Sequence, residues 1–430
     1  MRESDLRDVA VRETAIQTRP TVRRVVASAA CILLCIFLIW DSGRAGFSSL
    51  LSAYAARSYD TEAASAAVSL RDDNADAHFA RGNILEARNE WPAAAAAYEA
   101  ATRTRPDDCI SWLSLARVRE LNGENQAALA AARHAVPLAP YYAQPHWQLG
   151  NILLRAGQTD EGFRELRLAG KSNPAMMPGV IDLAWRLAAG DPQFVAKAVQ
   201  PASAEDYQLV GQYLRHFGDL TASLYIFKNS AGRAPEQERR AIVTALIKAK
   251  RYSEAYELWA AGHAQVSRGV INDAGFEGEG DLQEAGFGWR TVDRVQGFQL
   301  SLDINNPKQG RTSLRVDFEG ESDPAAPVIS QWILVEPNAR YRLRFAARTE
   351  ALVTGGLPVV AVIDGTSDGV LAKSEALPQA TNGWRDYVFD FDSAADTTAI
   401  QIGLQRQPCA TPSCPIFGRL WLDNVWLEKL

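Results

Sequence analysis

Side chains able to make and break bonds are few in this chain, and they are scattered. Of the five cysteines, Cys31 and Cys35 sit in an apolar run, Cys109 lies inside a stretch of repeats, and Cys409 and Cys414 stand near the C-terminus. No CxxC pair meets a second pair or a histidine pair, so the spacing of a zinc site is missing. His78, His134, His146, His216 and His263 fall at no ligand spacing and read as surface or helix-packing residues. There is no GxSxG, no HExxH, no P-loop and no GxGxxG opening a helix. Glycoside hydrolysis needs two carboxylates across a cleft, and no motif pairs the acids Asp303, Asp317, Asp364 and Asp390. The chain therefore reads as non-catalytic, with an enzyme of unknown type as the outlying alternative. One covalent bond is foreseen. Cys409 and Cys414 bracket Ala-Thr-Pro-Ser in a turn-rich loop, and in an oxidising compartment they close a small ring. Two free thiols are the other reading.

The elements that would carry any site begin with the N-terminus. Residues 1–24 are charged and aperiodic, which predicts a disordered tail. Residues 25–40 carry no charge and are bounded by Arg23, Arg24 and Asp41. Extended to 25–43, this run reaches the length of a membrane-spanning helix. Six arginines precede it, so the positive-inside rule leaves the N-terminus in the cytoplasm. The bulk of the chain is then expected in the periplasm, anchored in a bacterial inner membrane by one pass. A cleaved signal peptide ending near residue 43 is the rival. The net charge of −6 argues against a nucleic-acid partner. At 430 residues there is room for two or three domains.

Next comes a repeat. Gly82, Ala116 and Gly150 are 34 apart, as are Ala94, Ala128 and Gly162, then Ala101, Ala135 and Ala169, then Pro106, Pro140 and Pro174. Such a period, with small residues in fixed columns, predicts paired antiparallel helices stacked into an α-solenoid, here 47–262. Weaker helical period continues after Gly190, Asp191 and Pro192 break the fourth unit, and residues 50–70 supply a leading helix. The pattern of Gly82, Leu85, Ala94, Tyr98, Ala101 and Pro106, repeated from Trp112 and from Leu149, resembles tetratricopeptide repeats (TPR). That resemblance implies a concave groove lined by the first helices. Carried over position by position, it shows Phe79, Asn83 and Glu86, then Leu113, Arg117 and Glu120, then Trp147, Asn151 and Arg155. A protein or peptide partner is expected there; ordinary solvated helix residues are the plainer reading.

From about residue 268 to 430 the period changes to short alternating strands separated by Gly, Pro, Asn and Asp, which predicts an antiparallel β-sandwich. The fold class is therefore multidomain α plus all-β. The ordered set Phe276-Glu277, Gly288-Trp289, the Gly310–Val316 stretch, Trp332 leading to Tyr341, Gly383-Trp384 and Trp421-Leu-Asp423 resembles the galactose-binding-like jelly roll of carbohydrate-binding modules, families 4, 9 and 22. The resemblance implies a glycan-binding face built on aromatic platforms. Ile333 and Val335 alternate with Trp332, and Leu343 and Phe345 with Arg342 and Arg344. With the aliphatic set inward, Trp332 beside Arg344 and Arg342 is the expected glycan contact; a Trp332 packed under another element is the alternative. Trp289, Trp384 and Trp421 are assigned to the core. The resemblance also implies a structural calcium ion held by Glu277 and Asp423, unless those carboxylates only cap a loop. The whole reads as a membrane-anchored scaffold in making, exporting or attaching a surface polysaccharide. The alternative is a protein–protein adaptor whose sandwich no longer binds sugar.

Overall fold

The structure is a computed structural model that describes all residues except 1–3, 264–265, 279–281, 283–285, 292–296, 322, 325 and 410–413, with side chains from residue 24 onward, Glu321 excepted. The chain divides into two compact units, residues 1–187 with 197–199, and residues 188–196 with 200–430. Each is built around its own buried residues.

The first unit opens with α1 (Ser4–Ser58), one unbroken helix. The expected tail (1–24) and membrane span (25–43) fall within this helix, which continues to Ser58. Once the apolar run has nucleated a helix, each added residue gains a hydrogen bond at little further cost. The C-terminal half of α1 is held in place by α2 (Thr61–Leu70). Ser48 Oγ donates to Ala67 O at 2.8 Å, Arg44 Nε donates to Leu70 O at 3.1 Å, and Arg71 pairs with Asp41 at 3.2 Å. Ala55, Ala64 and Ile84 form the small core beneath. By contrast the side chains of residues 25–40 stand out from the unit, with Ile39 and Trp40 about 70% exposed. Among the described residues, α1 is the one helix long and apolar enough to cross a membrane.

The repeats follow as helix pairs, α3 (Ala75–Ala87) with α4 (Trp91–Thr104), α5 (Cys109–Leu121) with α6 (Asn125–Leu138), and α7 (Ala143–Arg155) with α8 (Thr159–Ser172). The shorter α9 (Met177–Ala188) and α10 (Pro192–Val199) come next. The small columns are explained by helix approach. A Cβ on Gly82 would lie 2.7 Å from the Tyr98 ring, and one on Gly150 the same distance from Leu166 Cγ. A further column concerns ring nitrogens. His78 Nε2, Trp112 Nε1 and His146 Nε2 each lie within 3.0 Å of the carbonyl six residues earlier, at Asp72, Pro106 and Pro140. A ring N–H at this position ties each first helix to the turn that ends the preceding pair, satisfying a carbonyl left over by a helix end. Two of the histidines are thus helix-packing residues, as expected.

The second unit holds α11 (Ala204–His216), α12 (Leu220–Lys228), α13 (Glu236–Lys248) and α14 (Tyr252–Ala260), followed by a sandwich. Its strands are β1 (Phe298–Asp303), β2 (Ser313–Glu321), β3 (Ile329–Leu334), β4 (Arg340–Thr354), β5 (Pro358–Asp364), β6 (Val370–Lys373), β7 (Ala380–Asp392), β8 (Ala399–Arg406) and β9 (Pro415–Lys429). A five-stranded sheet runs β1-β2-β9-β4-β7 and a four-stranded sheet β3-β8-β5-β6, all neighbours antiparallel. Leu314, Val316, Leu343, Phe345, Ile333, Ile402 and Leu420 fill the space between the sheets.

The last helices and the sandwich share a second core. Tyr252, Tyr256 and Trp259 of α14 pack with Phe287, Trp332, Leu334 and Ala399. Tyr252 Oη donates to Gly365 O at 2.7 Å, and Lys250 Nζ reaches Asp368 at 2.8 Å. The helices before residue 262 and the sandwich after residue 268 thus meet within the second unit. The reason is chemical: α14 presents three aromatics, which bury against the outer face of the four-stranded sheet.

Candidate functional site

Alternation along β4 places Leu343 and Phe345 in the core and Arg342 and Arg344 on the outer face of the five-stranded sheet. Arg344 is flanked in register by Trp426 on β9 and Val388 on β7. Both neighbours are more than half exposed, Trp426 at 57% and Val388 at 61%. Around them opens a cleft of about 900 Å³, lined also by Ala274, Asp386, Asp390 and Asn424. A bulge shapes it. The register shifts between Arg344 and Ala346 against β9, and Asn424 adopts φ 56°. That irregularity puts the odd-numbered Trp421 and the even-numbered Trp426 on the same outer face.

Within the cleft, Arg342 grips Asp390 with two bonds of 2.7 and 2.9 Å, and Arg340 stands 3.5 Å from the same carboxylate. The hydrogen bonds and charge of Arg342 hold the Asp390 carboxyl below its ordinary range. Lys308 Nζ, on the loop before β2, reaches Asp386 of the cleft lining at 3.2 Å. Arg344 has only a 3.5 Å ion pair with the exposed Glu428. The floor thus combines an open indole, a guanidinium with donors to spare and a paired polar rim. This can receive a ring with apolar C–H patches and polar substituents.

Trp332 requires a correction. It lies on β3, which pairs with β8 in the other sheet, so it does not neighbour Arg344. Its ring is 9% exposed and meets Tyr252 of α14 with centroids 5.0 Å apart. The aliphatic alternation did place it outward from the inter-sheet core; what sits on that outward face is a helix. Trp289 is core, stacked 5.0 Å from Phe276. Trp384 is only partly covered. Trp421 is buried on the outer face, its ring 4.7 Å from the Arg348 guanidinium and its Nε1 donating to Asp303 at 2.7 Å. Sequence reading passed over Trp426. The signal was present, since Val425 and Leu427 are core and a residue between them must face outward.

The pair proposed to hold calcium meets a different set of partners. Glu277 Oε1 accepts from the backbone N–H of Arg311 at 2.7 Å and of Thr312 at 3.3 Å. Asp423 accepts from Lys308, Gln309 and Asn424 N–H at 2.7–3.1 Å. Burial pushes the Asp423 carboxyl up, only partly offset by these donors. Calcium takes 6–8 oxygens. Among the described residues no group of three or more His, Cys, Asp or Glu stands together. The two carboxylates fit the role of anchors for residues 308–312. Cys409 and Cys414 form a disulfide with Cα atoms 5.6 Å apart; the Ala-Thr-Pro-Ser between them lies outside the described residues.

In the helical array the expected groove positions tie neighbouring pairs together. Arg117 of α5 binds Glu86 of α3 at 2.6 and 2.8 Å, and Arg155 of α7 pairs with Glu120 of α5. The Tyr98 hydroxyl contacts Asn83 at 2.6 Å and Glu86 at 2.7 Å. Burial and then Glu86 raise its pKa far above the ordinary tyrosine value. Phe79 packs on Tyr98 with centroids 5.5 Å apart. Asn151 donates to Trp147 O at 2.8 Å. Trp147 lies against α9, where a Cβ on Gly179 would come within 2.8 Å of its ring. Leu113 is partly covered, and Arg117 and Arg155 stay exposed. Tyr141 and Tyr142, in the turn before α7, are the most exposed aromatics of the array at 88% and 73%, and the period did not single them out.

Residues 51–108 and 79–143 match a family model described as tetratricopeptide repeat. No curated protein matches the chain. Among solved structures, the pilF protein of Pseudomonas aeruginosa is 16% identical, with 52% of this chain and 99% of that one covered at a TM-score of 0.32. YrrB, described as "a TPR protein with an unusual peptide-binding site", is 17% identical over 44% of this chain and 87% of its own, TM-score 0.28. A structure described as "CBM4 structure and function" is 12% identical over 37% of this chain and 99% of its own, TM-score 0.26. The period, the glycine contacts and the family match together make residues 51–143 tetratricopeptide repeats, in a chain that also holds an antiparallel β-sandwich.

Proposed function

We propose that this protein is a non-catalytic scaffold that binds glycan on the outer face of its five-stranded sheet and docks a protein partner on its helical repeats. The observation carrying the first half is the open cleft floored by Trp426 and Arg344. A solvent-exposed indole beside a guanidinium is costly to leave bare on a sheet face, and a pyranose ring covers it. The second half rests on the repeat match, since stacked helix pairs serve as extended protein-binding surfaces. Helix α1 anchors the chain in a bacterial inner membrane, with the sandwich on the oxidising, periplasmic side. The Cys409–Cys414 disulfide suits that side. The role that joins these parts is assembly, export or attachment of a surface polysaccharide. The test is a glycan-array and affinity-electrophoresis survey of the detergent-solubilised full chain. Retention by at least one polysaccharide, reduced in Trp426→Ala, is expected. Retention by none would leave the protein as an adaptor only.

A further inference from the structure

Resting on the glycan reading just given, we propose that the cleft selects acidic polysaccharide: a uronic-acid residue stacks on Trp426 while its carboxylate is held by Arg344.

The charges in the cleft are not equivalent. Arg342 commits Nε and one terminal nitrogen to Asp390, which Arg340 also approaches. Lys308 is committed to Asp386. Of the two arginines lining the cleft, Arg344 makes, among the described residues, no hydrogen bond to a lining carboxylate, only the 3.5 Å approach to Glu428. A guanidinium offers five donors in a planar fork that matches a carboxylate. Arg344 therefore keeps its guanidinium fork open beside Trp426, and it is 54% exposed at the side chain.

Position adds a second argument. Arg344 sits directly across from Trp426 in the β4–β9 ladder and from Val388 in the β4–β7 ladder. Cross-strand neighbours stand about 5 Å apart at Cβ. A pyranose ring spans a similar distance, with its carboxylate one bond beyond the ring edge. A uronate laid on the indole thus brings its carboxylate over Arg344, with Val388 closing the far side. A neutral hexose would cover the indole and leave the guanidinium facing a hydroxyl. The chain's net charge of −6 makes indiscriminate attraction of polyanions a poor explanation for such binding.

The experiment compares retention of the full-length protein in detergent by alginate, a polyuronate, and by the same polymer after its carboxyl groups are reduced to neutral sugars. The wild type should bind the acidic polymer about tenfold or more tightly, the usual worth of a charge-assisted bidentate contact. Arg344→Ala should erase that preference, Arg344→Lys should restore only part of it, and Trp426→Ala should weaken both polymers. Thermal unfolding of each variant checks folding, which exposed positions should leave unchanged. Equal retention of both polymers, with Trp426→Ala still weakening it, would overturn the acidic preference and leave the glycan reading standing. A preference that persists in Arg344→Ala would also overturn it. Retention of neither polymer overturns the inference for uronates, and the broader survey above then decides the glycan reading separately.

Discussion

Replacing Trp332 by alanine tests the joint between α14 and the sandwich. The ring is 9% exposed, so nearly all of an indole's surface of up to roughly 250 Å² is hidden. At about 25 cal/mol per Å² that burial contributes at most roughly 6 kcal/mol. Partial burial in the unfolded chain lowers this, and core Trp→Ala replacements cost about 3–5 kcal/mol. Among the described residues Trp332 Nε1 has no hydrogen-bond partner, so none is lost there. The loss should fall locally, since the partners are Tyr252, Trp259, Phe287 and Leu334. Hydrogen exchange is the suitable assay. Amides of α14 and β3 should lose about 3 kcal/mol of protection or more, whereas amides of α3 to α6 keep theirs. At a temperature where the variant is folded, retention by glycan should be unchanged. A loss below about 1 kcal/mol, or a selective loss of glycan retention, would refute the burial of this ring under α14.

Three other outcomes follow from particular contacts. Gly82→Ala places a methyl group 2.7 Å from the buried Tyr98 ring and should cost roughly 1–3 kcal/mol in urea unfolding of the repeats; an unchanged midpoint would contradict the packing. Burial, with Asp368 and Asp364 nearby, pushes the Tyr252 hydroxyl up to about 12. The unfolded chain would release that proton near the ordinary value of about 10. The stabilisation is therefore complete below that pH and is lost as pH rises toward 12. Tyr252→Phe should flatten this alkaline loss, and a wild type equally stable across that window would contradict it. Finally, calcium or a chelator should leave the unfolding temperature of the wild type unchanged, because Glu277 and Asp423 already accept backbone N–H groups. A rise of several degrees with calcium would reverse that assignment.

The helical repeats were legible because their determinants are local. A column of small residues every 34 positions states directly which helices touch, and Gly82 against Tyr98 and Gly150 against Leu166 are its physical content. Strand alternation was equally legible: Ile333, Leu343 and Phe345 are core, and Arg342 and Arg344 face out. What local pattern could not supply was pairing. β3 and β4 are consecutive in sequence yet lie in different sheets, so Trp332 and Arg344 occupy opposite outer faces. Nor does the alternation of β3 say that α14 will cover Trp332. That information sits some 70 residues earlier, in Tyr252, Tyr256 and Trp259. Trp426 was obscured by the bulge at Asn424, which resets the alternation counted from Trp421. Helix α1 runs through Gly43 and Gly46, two poor helix formers, so propensity alone did not mark its full length.

The most direct measurement is the affinity of Trp426→Ala for whichever polysaccharide retains the wild type. The indole is 57% exposed, so about 140 Å² is open, and a sugar covering half of it would hide about 70 Å² of ring. At about 25 cal/mol per Å² this is roughly 1.8 kcal/mol, or about a 20-fold weaker affinity in the variant. A fall of that order with unchanged unfolding would support binding on the five-stranded face. An affinity equal to the wild type's would place the glycan elsewhere and contradict the account.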